Sequence, residues 1–289
     1  MSLQKFIPEC SLTPRGLENA SGMHCYWNSV LQALMSTTAF TQLILKLDTL
    51  PEIHNSSFVS LFAKFIREEL TNMELFEKYI LALYTIGKDK QQLQELISDQ
   101  QCVSETLSYI LEIFEKCRPI VHLFQHRYFQ SLICFECKHL SNSKATNIVF
   151  EISPDQQVPE SLLELVEEIH DYKCEKCGVA NTKQKINKLV MIPEVISIVI
   201  KKYIWEHGTG KKTNDSTVLP EFITIDKFNY RAVAYINHYG EINSGHYITT
   251  ALRQNNSELM WFRLNDNVIT MAQYAPGPNT YMIVYNYYE

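Results

Sequence analysis

The stretch that decides the fold runs from residue 16 to residue 32 and reads GLENASGMHCYWNSVLQ. Within it, Cys25 follows a polar segment that contains Gly22 and precedes a helical pattern of apolar residues between Val30 and Met35. A cysteine at the N-terminus of a helix lies near the positive end of the helix dipole, which favours the nucleophilic thiolate. A cysteine considered alone is more often a small buried apolar residue, but this setting predicts a nucleophile where a loop enters a helix.

A second stretch, residues 238–270, supplies groups that could serve such a thiolate and reads HYGEINSGHYITTALRQNNSELMWFRLNDNVIT. A thiol hydrolase needs an imidazole beside the sulfur and an amide or carboxylate that orients the imidazole. His246 precedes a predicted strand, and Asn265 and Asp266 lie on the predicted neighbouring strand. Side chains on adjacent antiparallel strands can meet, so the sequence predicts one site that combines these groups with Cys25.

Four of the eight cysteines form two C-x-x-C pairs, Cys134 with Cys137 and Cys174 with Cys177. Two such pairs near strand ends are the ligand pattern of a zinc ribbon with tetrahedral sulfur coordination. Sulfur would fill all four positions, so the zinc would be structural and not catalytic. Free cysteines or a redox pair are the alternatives, and the presence of two matched pairs favours zinc.

These features together resemble the ubiquitin-specific protease family of papain-like thiol hydrolases. The family's cysteine box reads roughly G-L-x-N-x-G-x-T-C-Y-x-N-S-x-L-Q, and the positions that agree are Gly16, Leu17, Asn19, Gly22, Cys25, Tyr26, Asn28, Ser29, Leu31 and Gln32. Its histidine box reads H-x-G-x-x-x-x-G-H-Y followed by W-x-x-F-[DN]-D, and the positions that agree are His238, Gly240, Gly245, His246, Tyr247, Trp261, Asn265 and Asp266. The resemblance extends from Gly16 to Tyr285 and includes the family's zinc ribbon.

The resemblance implies an α+β fold of thumb–palm–fingers architecture and a role for each site residue. Cys25 would attack the carbonyl at the end of a modifier's Gly-Gly tail. His246, as its base, would protonate the departing lysine amine and then activate water for hydrolysis of the thioester. Asn265 would orient His246, with Asp266 as the second candidate for that role. The implied function is a thiol-dependent isopeptidase that removes ubiquitin or a ubiquitin-like modifier from proteins.

The approach to Cys25 departs from the family pattern. One extra residue lies between Asn19 and Gly22, and His24 replaces the usual threonine. If the extra residue bulges out, Asn19 is the candidate donor to the oxyanion. Otherwise the oxyanion hole would rely on the backbone N–H of Cys25 and on Ser21 or His24, and losing a donor typically slows such enzymes ~10²–10³-fold.

A second departure lies at residues 100–106, QQCVSET, where the family usually has Q-Q-D-A-x-E-F. Glu105 is retained, but Cys102 replaces an aspartate. In the family these acids contact basic residues near the modifier's C-terminal tail, so the loss of one removes a charge-assisted pairing. The identity of the modifier therefore stays open between ubiquitin and a ubiquitin-like protein.

The composition excludes several other classes of function. The chain has 289 residues, 46% of them apolar and 20% charged, with a net charge of −6, which gives little electrostatic support for binding nucleic acid. No apolar run approaches the ~20 residues that span a bilayer, and residues 1–9 lack the pattern of a secretory signal. We expect an intracellular protein, cytoplasmic or nuclear, that acts as a monomer without membrane partners and keeps its thiols reduced.

The periodicity of apolar residues predicts helices from Ser29 to about Arg118, closed by Pro119, and a β-rich remainder. One helix is predicted within the remainder, Glu160 to Ile169, and a loop from Lys201 to Thr217. Strands are predicted at residues 128–135, 146–152, 195–200, 231–236, 247–252 and 281–287. With the resemblance, this gives a single catalytic domain, 1–289, made of a helical thumb to about residue 120, fingers with the ribbon at about 121–215 and palm strands at about 216–289.

Two other hypotheses account for part of the sequence. The altered loop before Cys25 would suit a catalytically impaired protein that only binds the modifier. A zinc-ribbon adaptor would explain the four paired cysteines but would leave both boxes without a purpose. Retention of Cys25, His246 and Asn265 favours the enzyme.

Overall fold

The structure is a computed structural model that describes residues 12–53, 57–206, 209–213, 215–241, 244–256 and 258–289. Residues 1–9, in which the sequence predicts no secretory signal, and Cys10 lie outside these ranges. Among the described residues, no single helix has the length and apolar character that crossing a membrane requires, and only the bent pair at residues 25–36 and 38–48 passes when its two helices are taken together.

The first half of the described chain is helical because apolar residues recur at steps of three and four. The helices are α1 (Cys25–Ser36), α2 (Thr38–Asp48), α3 (Phe58–Ile66), α4 (Asn72–Thr85), α5 (Lys90–Ser98), α6 (Val103–Ile113), α7 (Arg118–Phe124) and the short α8 (Glu160–Leu163). Several of these helices have a side chain that caps their first turn. In the capping box of α4, the side chains of Thr71 and Glu74 each accept a hydrogen bond from the backbone N–H of the other residue. Pro119 does not close the helical region as predicted, because it lies in the first turn of α7, where its missing N–H costs nothing.

Every residue of α1 is buried. The helix packs against the sheet that carries the second box on one side and against α6 on the other. Near its C-terminal end, the fully buried Arg253 donates to the carbonyl and side-chain oxygens of Gln32 at 2.7 and 2.9 Å and to the Ser36 hydroxyl. These bonds attach the C-terminal part of the helix that begins at Cys25 to the sheet that carries Arg253.

The strands form two large sheets and one hairpin. They are β1 (His126–Cys134), β2 (Leu140–Asn147), β3 (Phe150–Ile152), β4 (Glu164–Lys173), β5 (Ala180–Met191), β6 (Val195–Ile200), β7 (Tyr203–Glu206), β8 (Thr209–Lys212), β9 (Phe222–Ile225), β10 (Phe228–Glu241), β11 (Ser244–Asn255), β12 (Glu258–Asn265), β13 (Val268–Met271) and β14 (Thr280–Tyr288). One sheet has the order β2-β1-β5-β4, and its neighbouring strands are antiparallel. The other has the order β13-β12-β11-β10-β14-β6-β3, with β9 added beside β10.

The strand predicted at residues 146–152 is divided, because β2 ends at Asn147 in one sheet and β3 begins at Phe150 in the other. Two further predicted elements differ from the structure. The predicted helix at residues 160–169 stops at Leu163, because the residues that follow form β4 and pair with β5 as far as the second cysteine pair. The predicted loop at residues 201–217 contains the hairpin β7–β8, in which Tyr203 lies opposite Lys212. In both places backbone pairing with another segment decides the structure, and the local sequence does not show that pairing.

Candidate active site

Cys25 is the first residue of α1, and His24 is the residue before the helix. The N–H of Asn28 donates to the His24 carbonyl at 3.0 Å, which closes the first turn. The backbone N–H groups within that turn, among them that of Cys25, have no acceptor inside the helix. The Cys25 side chain has no exposed surface (0%). The sulfur therefore lies at the positive end of a helix dipole, in surroundings that exclude water.

His246 lies near the start of β11, and Asn265 is the last residue of β12. The Nε2 atom of His246 is 2.6 Å from Oδ1 of Asn265, so the side-chain carbonyl oxygen of Asn265 accepts a hydrogen bond from the Nε2 proton. Nδ1 is then the ring nitrogen left for Cys25. The nearby Cys25 side chain is the main reason that the pKa of His246 is raised to about 9, and Asn265 adds to the effect while burial opposes it. At neutral pH the imidazole is a cation beside the sulfur, which is the state that holds a thiolate.

Asp266 lies close to His246 without being its direct partner. Its Oδ2 atom is 3.9 Å from His246 Nε2, against 2.6 Å for the Asn265 oxygen. The two carboxylate oxygens accept instead from the side-chain amides of Asn19 and Asn28, each at 2.9 Å. Asp266 thus ties the loop before Cys25 to the strand end that carries Asn265.

The loop before Cys25 accommodates its extra residue in an exposed turn. Ala20, Ser21 and Gly22 are all exposed, and Gly22 adopts a φ of 75° while its N–H donates to the Asn19 carbonyl at 3.1 Å. On the inner side, Oδ1 of Asn19 accepts from the His24 N–H at 2.9 Å. The extra residue therefore bulges away from the protein, and the Asn19 side chain stays beside the start of α1.

His24 holds the same loop from its other side. Its Nδ1 atom is 2.8 Å from the Ser21 hydroxyl, and its ring lies edge-on to Phe76 with ring centroids 4.6 Å apart. Burial lowers the pKa of His24, so the ring is neutral. His24, which stands where the family has threonine, therefore forms its side-chain hydrogen bond with a residue of the turn that contains the extra residue.

Two residues of the site were not found from the sequence. The Asn72 amide donates to Oδ1 of Asn28 and to the Glu18 carbonyl, both at 2.8 Å, and so supports the network around Asp266. Gln100 reaches Cys25 itself, with Nε2 3.0 Å from the sulfur. Asn72 begins a helix and carries no sequence signal, whereas Gln100 belongs to the motif at residues 100–106 and could have been singled out.

The predicted tail-binding residues lie at the start of α6. The Cys102 sulfur is 3.1 Å from the Tyr281 hydroxyl and 3.0 Å from that of Ser104. Glu105 accepts from the Tyr109 hydroxyl at 2.8 Å. An aromatic hydroxyl and a thiol therefore meet where the family has a carboxylate.

The four paired cysteines come together at one end of the four-stranded sheet, and their sulfur atoms all lie within 4.8 Å of one another. The Cys134–Cys177 and Cys137–Cys174 sulfurs are 3.9 and 3.7 Å apart. A tetrahedral site with metal–sulfur bonds of about 2.3 Å requires sulfur separations of about 3.8 Å. This cluster can therefore hold a metal ion without rearrangement.

The two C-x-x-C turns share one backbone pattern. In the first, Cys134 accepts from the Lys138 N–H at 2.9 Å and donates to the His139 carbonyl at 3.0 Å. In the second, Cys174 accepts from the Gly178 N–H at 2.8 Å and donates to the residue 179 carbonyl at 3.0 Å. Positive φ angles at Lys138 (56°) and Gly178 (71°) allow both turns to close.

The buried ammonium of Lys183 lies next to this cluster. Its Nζ atom is 3.8 Å from the Cys134 sulfur and 5.1 Å from the centre of the Tyr172 ring. A buried ammonium needs compensating negative charge, and sulfur ligands of a metal would supply it. Lys183 fits the interpretation of the cluster as a thiolate site.

Comparisons with known proteins agree with this geometry. The model of the ubiquitin carboxyl-terminal hydrolase family matches residues 15–285. Ubiquitin carboxyl-terminal hydrolase 11 of Schizosaccharomyces pombe is 25% identical over 286 residues, covering 89% of this chain and 79% of the relative. Ubiquitin carboxyl-terminal hydrolase 17-like protein B of Mus musculus is 23% identical, covering 93% and 63%. The chain belongs to the ubiquitin carboxyl-terminal hydrolase family and is a cysteine deubiquitinase.

Solved structures show the same fold. A SAGA deubiquitinase module that contains Ubp8 and is bound to ubiquitin aldehyde gives a TM-score of 0.75 at 17% identity, covering 98% of this chain and 71% of that one. A related structure of the module bound to monoubiquitin gives 0.74 at 17% identity, covering 99% and 72%. The α+β fold and the family predicted from the two boxes are confirmed, and none of these findings favours the impaired binder.

Proposed function

We propose that Cys25, His246 and Asn265 are the catalytic residues of a thiol-dependent isopeptidase that cleaves after the Gly-Gly tail of ubiquitin. The observation that carries this proposal is the line of groups from the Cys25 sulfur through the His246 ring to the Asn265 amide, in which Cys25 raises the pKa of His246 and Asn265 accepts from its ring at 2.6 Å. Each group in the line has the chemistry that its position needs: a sulfur at a helix start, an imidazole between two partners, and an acceptor that fixes the ring.

The arrangement supports a two-step reaction. The Cys25 thiolate attacks the carbonyl of the last glycine, and the resulting tetrahedral oxyanion collapses to a thioester as the lysine amine leaves with a proton from His246. Once the sulfur is acylated it no longer holds the proton on His246, so the pKa of the ring falls from about 9 and the neutral imidazole can take a proton from water. That water hydrolyses the thioester and restores Cys25.

Asn19 is our proposed donor to the oxyanion, together with the backbone N–H of Cys25. The Asn19 amide nitrogen carries two hydrogens, and Asp266 accepts one of them at 2.9 Å. The second hydrogen is then available to a developing oxyanion beside the helix start. In this assignment Asp266 acts through Asn19 and is a positioning residue, while Asn265 is the direct partner of His246.

For the cysteine cluster we propose a structural zinc ion held by the four thiolates of Cys134, Cys137, Cys174 and Cys177. Support comes from the sulfur separations and from the matched turns. Zinc bound by four sulfurs would tie β1 and β2 to β4 and β5 and would take no part in the reaction. Its contribution would be to the stability of the four-stranded sheet.

Ubiquitin is the modifier that the comparisons favour, because the solved modules of the same fold contain ubiquitin or ubiquitin aldehyde. The departure at Cys102 keeps a ubiquitin-like protein as the alternative. In this proposal the helices are the thumb, the four-stranded sheet the fingers and the eight-stranded sheet the palm of one catalytic domain. Two strands of the range assigned to the fingers, β3 and β6, pair within the palm sheet. A monomeric state and an intracellular location stay predictions.

The test is a set of electrophilic probes built on ubiquitin and on several ubiquitin-like proteins. We expect the wild type to form a covalent adduct with the ubiquitin probe and Cys25→Ala to form none. Labelling that persists in Cys25→Ala would refute the nucleophile assignment. A wild type that binds ubiquitin without forming an adduct would be an impaired binder, and a stronger reaction with another probe would reassign the modifier.

A further inference from the structure

The nucleophile is closed off in this structure, and Gln100 forms part of the closure. The Cys25 side chain has no exposed surface (0%), although an attacking sulfur must meet a carbonyl carbon. The Gln100 carboxamide lies against the sulfur, with Nε2 3.0 Å from Sγ. A substrate therefore cannot reach Cys25 while this contact is in place.

The same carboxamide is paired with a strand edge that no other described strand occupies. Gln100 Nε2 donates to the Gly245 carbonyl, and Gln100 Oε1 accepts from the Gly245 N–H at 3.0 Å. Both backbone groups of Gly245 therefore point away from β10, on the side of β11 where β12 would continue. The pairing of β12 with β11 reaches only Thr249, opposite Leu264, so this edge is available to an added strand.

Gln100 thus offers Gly245 what a residue of an added strand would offer, a donor and an acceptor side by side. Its two amide hydrogens go to the Cys25 sulfur and to the Gly245 carbonyl, and its oxygen goes to the Gly245 N–H. The reverse orientation would set two carbonyl oxygens against each other, so the network fixes the amide. Gln100 follows α5 on the helical side of the cleft, and Gly245 belongs to the sheet, so the contact bridges the cleft.

We propose that Gln100 is a specificity-determining residue that occupies the place of the modifier's tail and must be displaced by it. The proposal rests on the assignment of Cys25 as nucleophile. A peptide tail can replace both hydrogen bonds of Gly245 with its own backbone, and so it compensates for the displacement of Gln100. A small electrophile or a bare amide offers no such replacement and meets a closed site.

Alkylation of Cys25 by iodoacetamide measures this closure without any modifier. The rate is followed by mass spectrometry of the Cys25 peptide across a pH series. At alkaline pH the thiolate is fully formed, so the plateau of the alkylation rate reports access to the sulfur. The midpoint of the curve of rate against pH reports the ionisation of the thiol. We expect Gln100→Ala to raise the plateau about tenfold, which corresponds to roughly 1.4 kcal/mol and is within what such hydrogen bonds contribute.

Gln101→Ala is the matched control. Gln101 is the neighbouring residue of the same type, but its amide donates to the Glu95 carbonyl at 2.8 Å on the exposed side. We expect its plateau to equal that of the wild type. Gln100→Glu is a near-isosteric second variant that removes both donors, and it should raise the plateau at least as much as Gln100→Ala.

A substrate comparison completes the test. Gln100→Ala should increase the rate of alkylation by iodoacetamide more than it increases kcat/KM for a dye-linked ubiquitin, because only the ubiquitin tail can replace the hydrogen bonds of Gly245. A plateau that does not rise in either Gln100 variant, or that rises equally in Gln101→Ala, would overturn the proposal. A fall in kcat with an unchanged plateau would make Gln100 a donor to the reaction instead. A Cys25 peptide that is alkylated while Cys25→Ala retains hydrolase activity would refute the nucleophile assignment separately.

Discussion

At the scale of single residues, His246 connects the reactive sulfur to the end of β12. Cys25, and after it Asn265, raise the pKa of His246 to about 9 from an ordinary value of ~6.5. A group whose pKa is higher in the folded state stabilises the fold most below its unfolded pKa and loses that contribution as pH rises through the folded value. The stabilisation from this pairing is therefore complete below about pH 6.5 and disappears through about pH 9.

We expect Asn265→Ala to shift the alkaline limit of activity to lower pH. The Asn265 oxygen raises the pKa of His246 and fixes the ring, so its removal both lowers that pKa and lets the ring turn away from the sulfur. We expect kcat to fall by ~10²–10⁴. The measurement is kcat and kcat/KM for a fluorogenic ubiquitin amide over a pH series through about pH 9.

The substitution Asp266→Asn distinguishes the role of Asp266 from that of its neighbour Asn265. Asp266 lies 3.9 Å from His246 Nε2 and bonds Asn19 directly, so this change should act through the oxyanion donor. We expect kcat to fall by ~10²–10³ with only a small movement of the alkaline limit. A larger movement in Asp266→Asn than in Asn265→Ala would exchange the two roles.

At the scale of elements, the local sequence pattern predicted the strands that burial determines. It missed the strands that are determined by backbone pairing with another segment. The strand predicted at Val195–Ile200 is β6 with the same bounds, because all of its residues are buried and apolar runs of that length indicate an internal strand. The β4 segment has solvent on both faces and apolar residues at helical spacing, so only its long pairing with β5 makes it a strand.

The turn before α1 provides a test at this scale. Gly22 has a φ of 75° with nothing within 4 Å of the position that a Cβ would take, so Gly22→Ala meets backbone strain and no steric clash. Such strain costs ~1–2 kcal/mol. We expect the turn to shift, Asn19 to lose its position and kcat to fall several-fold while KM changes little.

Gly277→Ala is the matched control for the turn. A Cβ at Gly277 would also meet nothing within 4 Å, but this glycine does not have a positive φ. We expect the variant to keep the kcat and KM of the wild type. Equal effects of the two substitutions on kcat would contradict a specific role for the turn at Gly22.

At the scale of the whole molecule, the proposed catalytic residues lie on α1 and the eight-stranded sheet, whereas the cysteine cluster lies on the four-stranded sheet. Cys25, His246 and Asn265 lie on α1, β11 and β12, whereas the cluster joins strands of the four-stranded sheet. Both sites were predicted from the sequence because their residue types and spacings are demanding. The contact between Gln100 and Gly245 was not, because it joins a side chain to a backbone across a distance that no local spacing reveals.

Because the two sites lie on different parts of the fold, we expect the removal of one cysteine ligand from the cluster to leave the surroundings of Cys25 unchanged. Cys174→Ser should lower the zinc content of the purified protein from about one ion per chain to near zero and should lower the unfolding temperature, since four sulfurs close the site. KM for ubiquitin substrates should rise because the four-stranded sheet loses its support. The iodoacetamide rate at Cys25 should stay within about twofold, because no strand that carries a catalytic residue belongs to that sheet.

Cys117→Ser is the control, as Cys117 lies outside the cluster. Full zinc content in Cys174→Ser, or equal loss in both variants, would contradict the assignment of the cluster.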